Sequence, residues 1–166
     1  MDEPSDARPA PGAVEALDAV ARRFRVAAVI SGRPASFLSE HLGQADKAAM
    51  HGLYGLERLA GGVAVARQGA EEWRDLVAQA SDRAERSLPP GSAVEHKGLT
   101  VTLHFRAIPD RAEEVEAIGR EIAEELGLVA HPGKMSIELR PPVTVDKGTV
   151  IRELSRGLTN IAFAGD

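Results

Sequence analysis

Residues 26–30 form an uninterrupted apolar run, Val-Ala-Ala-Val-Ile, that stops abruptly at Ser31, Gly32 and Arg33. Such a run without any polar residue is typical of a β-strand that is covered on both faces, as in a parallel sheet. Residues 35–42 follow with the apolar spacing of a helix that ends at a glycine. The order of strand, turn and helix predicts an α/β fold in this part of the chain.

The middle of the chain follows a different pattern. Residues 57–66 predict two short strands around a Gly-Gly turn, and residues 71–88 and 110–126 have helical spacing, the second helix opened by Asp110. Residues 99–106 alternate apolar and polar side chains, which predicts a half-exposed antiparallel strand. This stretch is therefore predicted to form an α+β module.

The end of the chain returns to the α/β pattern. A helix is predicted to begin at Lys147, and the apolar segment of residues 160–166 predicts a buried strand. We therefore predict an α/β core made of residues 1–55 and 143–166, interrupted by an α+β insert of residues 56–142.

Composition narrows the classes of function. A formal net charge of -5 argues against a general nucleic-acid binder, and the lack of cysteine excludes a thiolate metal site. No apolar run approaches the roughly 20 residues of a membrane span. The N-terminus is acidic and proline-rich, unlike a signal peptide. These features predict a soluble, cytoplasmic protein without nucleic-acid or membrane partners.

Polar residues at predicted strand ends are the first candidates for chemistry, because ligands of open α/β sheets bind there. Ser31, Gly32 and Arg33 offer a hydroxyl, a closely approachable backbone and a two-pronged donor for a phosphate. Asp166 offers a carboxylate for a divalent cation, and Lys147 at a helix start suggests a bound anion. Taken singly, Ser31 is equally explained as a helix cap, and Lys147 is better explained as a solvated surface lysine. Together they favour a site for phosphate and Mg²⁺.

Four segments in this order, VISGRP, VEHKGLTVTLHFR, IELRPPVTVDKGT and IAFAGD, resemble the trehalose-6-phosphate phosphatases of the haloacid dehalogenase superfamily. HGLYGLE, between the first two, strengthens the resemblance, which extends from about Pro9 to the last residue. It implies a Rossmann-like haloacid dehalogenase core with an inserted α+β cap. It also implies Mg²⁺-dependent hydrolysis of trehalose 6-phosphate through an aspartyl-phosphate.

The resemblance also implies roles for the core residues. Ser31, flanked by Gly32 and Arg33, would orient a phosphoryl oxygen. Lys147 would neutralise charge on the phosphate, and Asp166 would hold the metal.

In the cap, the resemblance assigns the sugar hydroxyls to Glu95, Lys97 and Glu138, and the phosphate end to Arg106. Glu95 and Lys97 are two residues apart on one predicted strand and so point the same way. Without the resemblance, we would interpret these side chains as a solvated ion pair on a sheet face, contributing less than about 1 kcal/mol.

The sequence departs from the family pattern in one respect. It contains no D-x-D-G-T, the motif that carries the nucleophilic aspartate, and only the first Asp of the magnesium-binding motif. The expectation is therefore a fragment that is inactive alone and incomplete in its core. Two alternatives stay open. One is a non-catalytic sugar-phosphate-binding or regulatory domain, fused to or paired with a trehalose-phosphate synthase. The other is a related phosphatase acting on sucrose phosphate or mannosyl phosphoglycerate.

Overall fold

The computed structural model describes residues 8–165, and the chain divides into two compact units. The first unit is Met1–Val65 with Val145–Asp166, and the second is Ala66–Thr144. In chain order the elements are α1 (Ala13–Arg23), β1 (Ala28–Ile30), α2 (Ala35–Leu42), β2 (Ala49–Gly52), β3 (Glu57–Ala60), β4 (Val63–Ala66), α3 (Arg74–Ser87), β5 (Ala93–His96), β6 (Val101–His104), α4 (Ala112–Leu126), β7 (Val129–Gly133), β8 (Ser136–Arg140) and α5 (Lys147–Leu154).

The first unit contains a four-stranded sheet in the order β1-β2-β3-β4. β1 pairs with β2 in parallel, and β2 pairs with β3 in the antiparallel direction. The predicted strand–turn–helix unit is present as β1, residues 31–34 and α2. The predicted hairpin is also present, and its two turn residues, Gly61 and Gly62, have φ angles of 58° and 80°, as a primed hairpin turn requires.

Two predictions for the first unit are wrong. β1 is only three residues long and is exposed or half-buried rather than covered on both faces, because within residues 8–165 it lies at the edge of its sheet. Residues 160–165 form no strand, and Ile161 and Phe163 are 59% and 61% exposed. Apolar composition predicts burial only where a neighbouring strand supplies hydrogen-bond partners, and no strand in the described residues pairs with this segment.

The second unit contains an antiparallel sheet in the order β5-β6-β8-β7. Its apolar face carries α3 and α4, which the predicted helical faces of residues 71–88 and 110–126 anticipated. The core between them includes Val77, Ala80, Val101, Leu103, Val115, Ile122, Ile137 and Leu139. Among residues 8–165, no helix combines the length and hydropathy needed to cross a membrane.

Two details of the second unit differ from prediction. Thr100 and Thr102, on the polar side of the predicted half-exposed strand, are buried, whereas His104 on the same side is half-buried. α4 begins at Ala112 after a 3-10 turn at Pro109–Arg111, because the proline starts a separate turn and Asp110 makes no cap. The hairpin of β3 and β4 belongs to the first sheet, and the compact units divide after Val65. The functional division into a core of residues 1–55 and 143–166 and a cap of residues 56–142 stays a prediction.

Candidate functional site

The polar face of the second sheet carries all three predicted sugar-binding residues, Glu95, Lys97 and Glu138. Antiparallel register places Glu95 opposite Thr102, Thr102 opposite Glu138, and Glu138 opposite His131. Paired residues of antiparallel strands project to the same face, so these four form a row across all four strands. We define the polar face as Glu95, Lys97, Thr100, Thr102, His104, His131, Glu138 and Arg140.

Glu138 lies at the centre of the polar face and is only 6% exposed. Its Oε1 atom accepts hydrogen bonds from the Lys97 ammonium at 3.2 Å and from the hydroxyls of Thr100 and Thr102 at 3.0 and 3.4 Å. Its Oε2 atom accepts from Arg140 Nε at 2.7 Å and from Arg140 Nη2. A buried carboxylate is tolerated when it is paired and hydrogen bonded in this way.

Glu95 extends the same network toward the edge strand. Its Oε2 atom is hydrogen bonded to His104 Nε2 at 2.9 Å and lies 3.7 Å from Lys97 Nζ. Lys97 therefore lies between two carboxylates, and its side chain is only 13% exposed. The predicted group of Glu95, Lys97 and Glu138 is brought together by the fold, as a charge network and not as a solvated pair.

The ionisation of Glu138 depends on two opposing influences. Burial, the larger single influence, disfavours the charged carboxylate, but the charges of Lys97 and Arg140 and their hydrogen bonds together hold the pKa of Glu138 below its usual value. Glu138 is therefore an anion at neutral pH, with the two cations fixed around it.

In the first unit, residues 31–33 form a tight loop after β1. The Ser31 hydroxyl accepts a hydrogen bond from Arg33 N at 3.0 Å, so it closes this turn, while the residue at the N-cap of α2 is Pro34. The Arg33 guanidinium lies 4.9 Å from the centroid of the Phe37 ring, in cation–π geometry. The Ser31 hydroxyl retains its own proton as a donor for a phosphoryl oxygen.

A left-handed turn at Leu53–Gly55 supports this loop. All three residues have positive φ angles, which is costly for Leu53 and Tyr54. Tyr54 N donates to Ser31 O at 2.8 Å, and the Tyr54 ring lies so close to Gly32 that a Cβ there would be 2.6 Å from it.

The same turn also contacts the start of α5. A Cβ on Gly55 would lie 2.4 Å from Val150 and 2.9 Å from Val145. The turn thus packs against both the Ser31 loop and the helix that begins at Lys147. This places the two predicted phosphate-binding elements on either side of one strained segment.

The N-terminus of α2 is held by a carboxylate from another strand. Glu57, on β3, is 8% exposed, and its Oε1 atom accepts a hydrogen bond from Ala35 N at 2.5 Å. Gly52, opposite Glu57, has its α-carbon against this contact, because a Cβ there would lie 2.3 Å from Ala35 N. Pro34, the N-cap residue, has no side-chain acceptor for the first amides of α2. Glu57 supplies this acceptor from β3.

Replacing Glu57 with alanine is expected to cost about 1–2 kcal/mol, because a buried N–H is left without its acceptor. Hydrogen exchange of the α2 amides should accelerate accordingly. Glu40→Ala, at an exposed position of the same helix, is the matched control and should leave the exchange nearly unchanged. Equal exchange in both variants would mean that Glu57 does not hold α2.

Lys147 is the first residue of α5, as predicted. A carboxylate of the chain itself already lies at this helix N-terminus. Asp146 is the N-cap, and its Oδ1 atom accepts hydrogen bonds from Thr149 N at 2.6 Å and Thr149 Oγ1 at 2.7 Å. These hydrogen bonds lower the pKa of Asp146. A bound anion is thus not needed to explain a lysine here, and the phosphate-binding role of Lys147 stays a prediction.

The metal site and the phosphate end of the cap also stay predictions. Within residues 8–165, no three His, Asp or Glu side chains are close enough to hold a metal ion, so this part of the chain does not fit a metal by itself. Asp166, the predicted ligand, lies outside the described residues. Arg106 is exposed in the turn after β6.

Several residues that build the site are not predicted from the sequence. Thr100, Thr102, His104 and Arg140 contact the predicted carboxylates. Tyr54 packs against the Ser31 loop, and Glu57 holds the start of α2. The residues that contact the carboxylates could have been found from the sequence. They lie on the polar side of the alternating segments that also contain Lys97 or Glu138. No sequence pattern could have indicated that Tyr54 covers Gly32.

Solved structures that resemble this one show its fold. A haloacid dehalogenase-like hydrolase from Bacteroides thetaiotaomicron has a TM-score of 0.61 at 11% identity, over 95% of this chain and 73% of that chain. A trehalose-6-phosphate phosphatase related protein has a TM-score of 0.80 at 24% identity, over 94% of this chain and 68% of that chain. At these identities the likeness shows the fold, which is that of the haloacid dehalogenase-like hydrolases.

Sequence comparison shows the family. The trehalose-phosphatase family model matches residues 1–164. The trehalose-phosphate phosphatase of Mycobacterium marinum is 33% identical over 164 residues, which cover 92% of this chain and 40% of the relative. The chain belongs to the trehalose-phosphatase family of hydrolases, which confirms the resemblance. It spans about two-fifths of the length of the curated relatives it matches.

Proposed function

We propose that this chain supplies the substrate-binding surfaces of a trehalose 6-phosphate phosphatase. The observation that carries the proposal is the buried cluster of Glu138, Lys97 and Arg140 on the polar face, in a member of the trehalose-phosphatase family. Sugar hydroxyls both donate and accept hydrogen bonds, so a face that fixes carboxylates beside cations suits them. The second unit would act as the sugar-recognising cap.

The phosphate would bind to the first unit. Ser31 would donate its proton to a phosphoryl oxygen, Gly32 would let the backbone approach, and Arg33 would offer its guanidinium. Lys147 would add positive charge where the transferred group becomes more negative. Mg²⁺, with Asp166 as one ligand, is proposed as the metal on family membership.

A non-catalytic sugar-phosphate-binding domain is the second candidate, including one paired with a trehalose-phosphate synthase. The observation that favours it is the absence of D-x-D-G-T from these 166 residues. Covalent phosphoryl transfer requires a carboxylate in line with phosphorus. We therefore expect the 166-residue chain to bind trehalose 6-phosphate without hydrolysing it.

Lys97→Met is expected to weaken trehalose 6-phosphate binding by about ten- to a hundredfold, because a charged donor to the sugar is lost. The measurement is calorimetric titration of the 166-residue chain. Lys134→Met, at an exposed position of the β7–β8 turn, is the control and should bind like wild type. Binding by the Lys97 variant that equals wild type would contradict the sugar-binding role of the polar face.

Phosphate release separates the two candidate functions. The chain would be compared with one extended by an apolar strand carrying D-x-D-G-T and by the remaining residues of the magnesium-binding motif. Hydrolysis by the extended chain with Mg²⁺, and none by the 166 residues, is the result expected for the phosphatase. An extended chain that releases no phosphate but still binds trehalose 6-phosphate would favour the non-catalytic binding domain.

A further inference from the structure

His131 lies at the end of the row that crosses the second sheet. It is on the edge strand β7, opposite Glu138 of β8. Its neighbour Ala130 packs against the core under the helices, and alternation along a strand turns His131 to the polar face. Arg140 and Glu138 are the charged groups that act on its ring.

The His131 ring differs from the other groups of the row in having unused hydrogen-bonding capacity. Glu138 is engaged by four side chains, and Glu95 is engaged by His104 and Lys97. Within residues 8–165 the His131 ring has no hydrogen-bond partner, and it is partly exposed. It is therefore accessible to a ligand on the polar face.

The protonation state of the His131 ring suits a hydroxyl ligand. Partial burial, and then the positive charge of Arg140, lower the pKa of His131, while Glu138 opposes them. The imidazole is therefore neutral at pH 7. A neutral imidazole has one N–H donor and one acceptor nitrogen, which matches the two capacities of a sugar hydroxyl.

We propose that His131 is a sugar-binding residue that extends the recognition surface from Glu138 to the edge of the sheet. The proposal rests on the proposed sugar-binding function of the polar face. Four strands give three spacings of about 4.8 Å, so the row is roughly 14 Å long. His131 thereby adds a contact for a ring that lies beyond Glu138, which favours an extended sugar.

Trehalose itself is the probe, because it has hydroxyls but no phosphate and so isolates the polar face from the Ser31 loop. The 166-residue chain would be titrated with trehalose while the His131 ring protons are followed by NMR. His131→Phe should weaken binding about tenfold, since the ring shape stays but both hydrogen-bonding atoms are lost. His131→Gln, which keeps a donor and an acceptor, should stay within about threefold of wild type.

His96→Phe is the matched control. His96 is on the other edge strand and pairs with Val101, whose side chain packs on the helix-covered face. The control variant should bind trehalose like wild type. Trp73 fluorescence during urea unfolding would verify that each variant keeps its fold.

Four results would overturn the proposal. Wild-type affinity in the His131→Phe variant, or His131 ring signals that do not respond to trehalose, would exclude His131 alone from the sugar-binding surface if Lys97→Met still weakened trehalose 6-phosphate binding. Equal losses in the Phe and Gln variants would point to a packing role. A wild-type chain that binds neither trehalose nor trehalose 6-phosphate would overturn the proposed function together with this inference.

Discussion

Replacing Glu138 with alanine is expected to destabilise the second unit by about 3–5 kcal/mol, because Lys97 and Arg140 are left partly buried without their counterion. Their side chains are only 13% and 19% exposed. The measurement is urea unfolding followed by the fluorescence of Trp73, the only tryptophan, which packs against the core of this unit.

The control for this variant is Glu114→Ala on α4. Glu114 forms a two-pronged ion pair with Arg111, with N–O distances of 2.6 Å, but both side chains are 45% exposed. An exposed pair contributes less than about 1 kcal/mol. Similar losses from the two replacements would show that burial does not strengthen the Glu138 cluster.

The contribution of Glu138 should also depend on pH. Because its folded pKa is lowered, the unfolded chain takes up the proton first as the pH falls. The stabilisation is complete above the unfolded pKa of about 4.3, and it is lost as the pH falls further through the folded pKa. The stability difference between wild type and Glu138→Gln should therefore be constant near neutral pH and shrink in acid.

Replacing Gly55 with alanine is the second large effect, with an expected loss of about 2–4 kcal/mol in the first unit. The residue has a φ of 101°, which a Cβ strains, and that Cβ would lie 2.4 Å from Val150. Val150 is fully buried, so α5 would have to move away from the turn. Faster hydrogen exchange of α5 amides is the local measurement, and urea unfolding is the global one.

Gly62→Ala distinguishes the backbone strain at a positive φ from the steric clash with Val150. Gly62 has a φ of 80° but nothing within 4 Å of an added Cβ. Its replacement should therefore cost only the conformational strain, about 1 kcal/mol. If Gly55→Ala cost no more than Gly62→Ala, the contact between the turn and α5 would contribute nothing.

The elements themselves were largely predictable from periodicity. α2 and the start of α5 lie where the apolar spacing places them, and the Gly61-Gly62 turn joins two strands as its sequence predicts. Local spacing suffices here because a helix or hairpin satisfies its own hydrogen bonds between near neighbours.

Predictions that required knowledge of a distant partner were less accurate. Residues 160–165 are apolar and were predicted as a strand, yet they pair with no described strand. Thr100 and Thr102 were predicted to be exposed, yet they are buried against Glu138, 36 or more residues away in sequence. Alternation assigns a residue to one face of a strand, and it contains no information about what covers that face.

The sequence alone determined the family, the order of helices and strands, and the presence of Glu95, Lys97 and Glu138 on polar strand faces. Those properties follow from motifs and from spacing along the chain. Tertiary structure decided that Glu138 is buried between two cations, that His131 stands beside it, and that Glu57 holds α2. Register between distant strands brings these groups together, and burial then strengthens the electrostatic interactions between them.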